Sequence, residues 1–129
     1  MVKVLLDTHA AVWWWTASPR LGKAALGVLE GGLDDVWVSA ASAFEIAIRH
    51  RIGKFNDIGE PMIRFPQLMA ENLFESLPVT EAHALAAGHL PGDHADPFDR
   101  LIAAQAIVEG LTLVTRDPQF ASFGCKVLW

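Results

Sequence analysis

Five carboxylates stand where an acid can do more than keep a surface wet: Asp7 at the end of an apolar run, Glu45 inside a helical pattern, Asp96 and Asp99 within Asp-Pro-Phe-Asp, and Asp117 just past a second apolar run. Two carboxylates about 5 Å apart repel by roughly 3 kcal/mol at an effective dielectric near 20. Several brought together therefore require protonation or a doubly charged cation. Mg2+ or Mn2+ prefers oxygen ligands and keeps part of its water, and such an ion can activate water and hold a phosphate. A plainer reading stands beside this one. Asp7, Asp96 and Asp117 each occupy a place suited to a helix N-cap, and Asp-Pro-Phe-Asp is close to ideal capping sequence. Glu45 neighbours Ala41 and Ile48 at helical spacing, so it lies on or beside a buried stripe, where a carboxylate is costly unless paired or ligated. Arg49, one turn later, is its ordinary partner.

Other residues offer less specific chemistry. The histidines at 9, 50, 83, 89 and 94 show no HExxH or paired metal spacing; His94, close to Asp96, is placed to touch a substrate. Trp13, Trp14 and Trp15 cannot all face one side of a helix, so at least one is expected to be exposed for a protein contact or base stacking. Arg49, His50, Arg51 and Lys54 could hold a nucleic-acid backbone or form a solvated face. Cys125 is the single cysteine, which excludes an internal disulfide or a cysteine zinc site and fits a reducing cytoplasm. No GxGxxG, P-loop or GxSxG occurs.

The elements that must position these acids follow from patterning. Residues 2–6 form an apolar run of buried-strand type ending at Asp7. Ala10 to Glu30 reads as two helical pieces broken at Ser18-Pro19 and closed by Gly31-Gly32. Val36 to Val38 is a short strand, with Ser39 capping a helix that carries Ala41, Phe44, Ile48 and Ile52 on one face and stops at Gly53. A helix from Glu60-Pro61 to about Asn72, an extended piece at 74–78 and a helix from Thr80 to Ala87 follow. Gly88 to Ala95 reads as a loop. Asp96-Pro97 opens a helix to Glu109, stopped by Gly110. Leu111 to Val114 is a strand, Asp117-Pro118 a further helix start, and 126–128 a last strand. Strands alternating with helices indicate an α/β fold with a mostly parallel central sheet flanked by helices, in one domain over 1–129. Strand ends and the helix starts that follow them gather on one edge of such a sheet, where ligands bind.

Composition bounds the rest. With 52% hydrophobic and 19% charged residues, the chain is not of the disordered class. No apolar run approaches the ~20 residues of a membrane span, and the opening segment breaks on Asp7 too soon for a signal peptide. Ten Lys and Arg against fifteen Asp and Glu give a net charge of −5. Bulk charge alone will not draw in a polyanion; a local basic patch or a bound cation is needed.

Val4-Leu5-Leu6-Asp7-Thr8-His9, Ser42-Ala43-Phe44-Glu45-Ile46-Ala47-Ile48, Gly53-Lys54, His94-Ala95-Asp96-Pro97-Phe98-Asp99-Arg100-Leu101-Ile102-Ala103-Ala104-Gln105-Ala106, Leu111-Thr112-Leu113-Val114-Thr115-Arg116-Asp117 and a terminal Val127-Leu128-Trp129 follow in order. Over essentially its whole length the chain thereby resembles the PIN-domain ribonucleases, specifically the VapC-like toxins of type II toxin–antitoxin pairs. The resemblance implies a PIN-like three-layer fold, an acidic pocket binding Mg2+ or Mn2+, endoribonuclease activity on RNA, a homodimer, and a small VapB-like antitoxin that blocks the pocket. It assigns the four family acids to Asp7, Glu45, Asp99 and Asp117; the mechanism expected on that basis has Asp7 and Asp99 ligating the principal ion directly, with Glu45 and Asp117 holding it through water or ligating a second ion. Asp96 is an additional pocket acid or a helix cap, and Thr115 a hydroxyl at the pocket edge that orients a ligand. Ala95 departs from the polar or basic residue frequent there in this branch, which bears on substrate contacts and not on the metal site. Three rival readings conflict with the residues or need a direct test. A phospho-receiver domain would need an acidic pair after the first strand and a Lys near the last, whereas Asp7 is flanked by Leu6 and Thr8 and position 116 is Arg. An aspartyl phosphatase would need a second Asp where His9 stands. A binding module that uses the acids only as caps would show no stabilisation by Mn2+.

Overall fold

The computed structural model describes residues 2–32, 35–93 and 96–129; His94 and Ala95, and with them the substrate contact expected of His94, lie outside the described residues. The element order is β1 (Lys3–Leu6), α1 (Thr8–Trp15), α2 (Lys23–Gly31), β2 (Asp35–Ser39), α3 (Ala40–Arg51), α4 (Pro61–Glu71), β3 (Glu75–Leu77), α5 (Glu81–His89), α6 (Pro97–Glu109), β4 (Thr112–Val114), α7 (Gln119–Ser122) and β5 (Val127–Leu128). The strands form a single sheet in the order β3-β2-β1-β4-β5, and every pair is parallel. β1 sits in the middle and is buried on both faces, which is why Val4, Leu5 and Leu6 run apolar without alternation.

The pleat still sorts these side chains. Val4, Leu6, Val36 and Val38 face a core shared with Ala10, Ala11 and Trp13 of α1, Ala25 and Leu29 of α2, and Leu68 and Met69 of α4. Leu5, Leu113 and Leu77 face the opposite core, filled by Ile102, Ala103 and Ala106 of α6 with Phe120 and Phe123. The result is helix, sheet, helix in three layers.

Two polar groups lock α6 onto this frame. Gln105 is fully buried; its amide donates to the carbonyls of Leu77 and Pro78, and its carbonyl accepts from the Ser39 hydroxyl. Ser39 in turn accepts from Ala41 N–H and caps α3. From the other side, Arg100 donates to the Ala87 and Leu90 carbonyls at the C-terminal end of α5.

Three expectations shift. The loop thought to begin at Gly88 begins later, because α5 continues to His89. On α3, the face named by Phe44 and Ile52 points outward: these are 62% and 51% exposed, while Ala41, Ser42, Glu45 and Ile46 are buried. The helix is rotated so that its small and polar residues fit beneath the neighbouring helices. None of the three tryptophans is exposed. Trp13 is buried, Trp14 donates to Asn72 Oδ1, and Trp15 packs edge-on to Phe65, because α4 and the segment after it cover the side of α1 turned away from the sheet.

Candidate active site

A parallel sheet whose strand order reverses leaves a crevice at the carboxyl ends of the strands on either side of the reversal. Here that point lies between β1 and β4. Asp7 follows β1 directly, and Thr115 to Asp117 follow β4. α3 leaves the end of β2, and α6, running back against the strands, starts at the same edge. The topology therefore delivers Asp7, Glu45, Asp99 and Asp117 to one region from four separate segments.

All four line a small cavity of about 90 Å3, together with Asp96 and Thr8. It adjoins a larger cleft of about 620 Å3 that shares Asp7, Glu45 and Asp117. Each acid has a defined local reason for its position. Asp7 is the N-cap of α1, one carboxylate oxygen accepting Ala10 N–H at 2.7 Å. Glu45 is 5% exposed; Oε1 accepts the Thr8 hydroxyl at 2.7 Å and Oε2 is 2.9 Å from Arg49. Thr8 also lies 2.9 Å from the Ser42 hydroxyl. Asp96 is the N-cap of α6, accepting from Phe98 and Asp99 N–H, and Asp99 sits in the first turn of that helix. Asp117 accepts Gln119 N–H at the start of the last helical turn.

Capping and pocket-lining thus coincide in the same side chains: the caps of Asp7 and Asp96 engage one carboxylate oxygen, while both residues line the cavity. Thr115, buried beneath the acids, links two of them. Its hydroxyl bonds the Asp7 carboxyl and accepts Asp117 N–H at 3.1 Å. Thr8, Ser42 and Arg49 complete the support of Glu45. Their roles were foreshadowed only by the i,i+4 spacing of Glu45 and Arg49, since Thr8 meets Glu45 across 37 residues of chain.

The electrostatics centre on Asp7. Burial pushes its pKa above the ordinary carboxylate value, and the charge of Asp99 pushes the same way; the Thr115 hydroxyl, the Ala10 N–H and the nearby His9 pull against this. The side chain is thus held where its charged form is under-solvated. Among the described residues, no three His, Cys, Asp or Glu side chains close into a ready-made metal cage. Asp7, Glu45, Asp96 and Asp117 each accept from a hydrogen-bond donor or pair with a cation of their own, as mutual repulsion favours. The donor set is nonetheless all hard oxygen, with one under-solvated carboxylate. That suits an ion that takes few protein ligands and retains water, the habit of Mg2+ more than of zinc.

Residues 4–124 match the model of the PIN domain. The chain belongs to the PIN-domain family. This PIN domain is 37% identical over 123 residues to Ribonuclease VapC22 of Mycobacterium tuberculosis, covering 95% of the chain and 92% of that relative. Among solved structures it superposes on VapBC2 from Rickettsia felis bound to a fragment of promoter DNA, with a TM-score of 0.72, 18% identity and 98% of each chain covered. It also superposes on FitAcB from Neisseria gonorrhoeae, with a TM-score of 0.69, 23% identity and coverage of 98% and 96%. These likenesses bear out the PIN-like fold, a mostly parallel central sheet flanked by helices. Among the described residues no helix is long and apolar enough to cross a membrane.

Proposed function

We propose that this PIN domain is a metal-dependent endoribonuclease of the VapC type, hydrolysing RNA phosphodiester bonds and restrained by a VapB-like antitoxin. The observation that carries the reading is the convergence of Asp7, Glu45, Asp99 and Asp117 on one cavity at the strand-order reversal. Its sequence support is the relative named as a ribonuclease. The antitoxin reading is supported by the complexes in which neighbouring folds were solved, with toxin and antitoxin together.

Asp7 and Asp99 would hold Mg2+ or Mn2+ directly, with Glu45 and Asp117 acting through water or on a second ion. When bound, such a cation supplies electrostatic stabilisation of the charge developing on phosphate oxygens and makes water a stronger acid. The remaining work falls to the chain. Thr115 and Ala10 N–H fix the direction of the Asp7 carboxylate, so that it need not reorganise when charge enters the cavity. Thr8 and Arg49 hold Glu45 extended towards the same space. Arg49 partly neutralises Glu45 while no ion is there and can release it to a stronger cation. Cys125 takes no part as a nucleophile: it is buried on the far core, and burial pushes its thiol pKa up to about 11.

The deciding experiment compares the full chain with Asp99→Asn on single-stranded RNA in Mg2+ or Mn2+. The reading expects the substitution to abolish cleavage with the circular dichroism spectrum retained. Cleavage at the normal rate would remove Asp99, and with it the four-acid site, from the reaction.

A further inference from the structure

The large cleft beside the acids has a wall of opposite sign. Arg20, Arg49, Lys54 and Arg116 all line it, four of the ten Lys and Arg in a chain whose net charge is −5. Two of these cations converge on one ring. Arg116 Cζ lies 4.6 Å from the Trp13 ring centroid and Arg20 Cζ 6.0 Å. His9 stacks on the same indole, at 5.3 Å between centroids and 25° between planes, and Trp129 meets it edge-on at 5.8 Å. Trp13 itself is buried; Arg20, Arg116 and His9 are exposed. The tryptophan is therefore not a stacking surface for a ligand. It is a floor that anchors two guanidinium groups and an imidazole while leaving their outer sides free.

Arg49 differs, because it is already engaged by Glu45. Asp57, of opposite charge to Lys54, also lines the cleft. The Trp13 cluster is thus the strongest anion-seeking feature of the wall. Its position relative to the acids is set by covalent geometry. Trp13 follows Asp7 by six residues on α1, about 9 Å along the helix axis, and Arg116 is the neighbour of Asp117. A polyanion lying with one phosphate at the acids would pass its adjoining phosphates over this cluster.

We propose that Arg20 and Arg116, anchored over Trp13, grip the backbone phosphates flanking the cleaved bond of a single-stranded RNA, with the outer face of His9 open to an unstacked base. The proposal rests on the ribonuclease reading and names the positioning residues that let an acidic protein hold its polyanion. Single strands are favoured because flat guanidinium and imidazole faces read splayed-out bases, which a duplex keeps stacked. Both arginines are positioning residues, so they govern KM and the salt dependence of binding rather than the chemical step.

The test measures fluorescence anisotropy of a short, labelled, mixed-sequence single-stranded RNA with the full chain in EDTA, across a salt series. Cleavage kinetics in Mn2+ run alongside. For Arg20→Gln with Arg116→Gln, the slope of log affinity on log salt is expected to fall by about 0.7 for each arginine. KM should rise ~10-fold with kcat little changed. Arg116→Lys keeps the charge but loses the planar contact, so it should recover the slope and only part of the affinity. Should the double variant melt early, the single variants carry the same readout. An unchanged salt slope overturns the proposal. So does a loss confined to kcat, or a loss of binding to a VapB-like antitoxin with RNA binding intact, which would make the wall a protein dock. Asp99→Asn separates the two readings: it should bind RNA with the wild-type slope while failing to cut. If it cuts normally, the four-acid site drops out of the reaction; if the wild type fails to cut in Mn2+, the ribonuclease reading fails while the binding result stands.

Discussion

Two buried polar clusters, one around Gln105 and one around Asp7, differ in what they leave unresolved. Around Gln105, every group is neutral and matched: an amide donates to two carbonyls, and a hydroxyl both gives and receives. Around Asp7, the groups are equally well placed, but one is a carboxylate whose burial raises its pKa against the pull of Thr115 and Ala10. A neutral network that closes on itself rigidifies a frame. A charged one that cannot close holds free energy in reserve for something that arrives later. The contrast fits Gln105 to architecture and supports the chemical role proposed for Asp7, without appeal to the family.

The strongest way to break this contrast is Asp99→Asn, expected to lower kcat/KM for RNA by about 1000-fold, equivalent to ~4 kcal/mol of barrier. Gln105→Ala should do the reverse. It leaves three buried partners unmatched and a cavity, at about 3 kcal/mol of stability, while cleavage per folded molecule stays within the scatter of the assay. Denaturant titration beside initial rates would check both. Next in size is the response to the ion. Mn2+ at a hundredfold above its dissociation constant should stabilise the wild type by about 2.7 kcal/mol, and an Asp99→Asn, Asp117→Asn double variant should lose most of that gain. The absence of any Mn2+-linked rise in the wild type would favour acids that act only as caps.

The smallest effect carries the sharpest sign. A carboxyl whose pKa is raised by folding binds its proton more tightly in the native state. Its ionisation therefore costs stability as pH climbs from 3.8 through the raised value, and the full cost is present at neutral pH. In EDTA, Asp7→Asn keeps a cap-competent side chain and removes that cost. It should melt above the wild type at pH 7, with the difference vanishing in acid. The same variant should be inactive, so that it gains stability where it loses function.

Most of the fold was legible because its signals are local. Gly110 closes α6 with a φ of +67°, Asp96-Pro97 opens it, and Ser39 caps α3 where the pattern places them. Asp7 and Asp117 were legible for the same reason, being tied to strand ends, and Asp96 and Asp99 because they mark the start of α6. What escaped depends on contacts distant in sequence. The rotation of α3 is set by what lies over it, so the apolar spacing of Phe44 and Ile52 pointed to a face that the fold leaves in solvent. The tryptophans are covered by α4, which no pattern in 13–15 announces. Thr115 bridging Asp7 and Asp117 could be suspected but not drawn, since its partners lie two residues away and 108 residues away. A further lesson is that acids sharing a cavity need not close into a cage: among the described residues none does, and Asp7, Glu45 and Asp117 each have a donor or cation of their own.

Gly22 shows how far such dependence reaches. Its φ of −64° would suit any residue, yet a Cβ there would fall 2.5 Å from the ring of Trp129. The indole of Trp129 is also the one that leans on Trp13 at the cleft. A single methyl group at this position, two residues after Arg20, would therefore displace Trp129 and, through it, the footing of both arginines. Gly22 works as a spacer, and the entrance to the cleft keeps its shape because nothing is attached there.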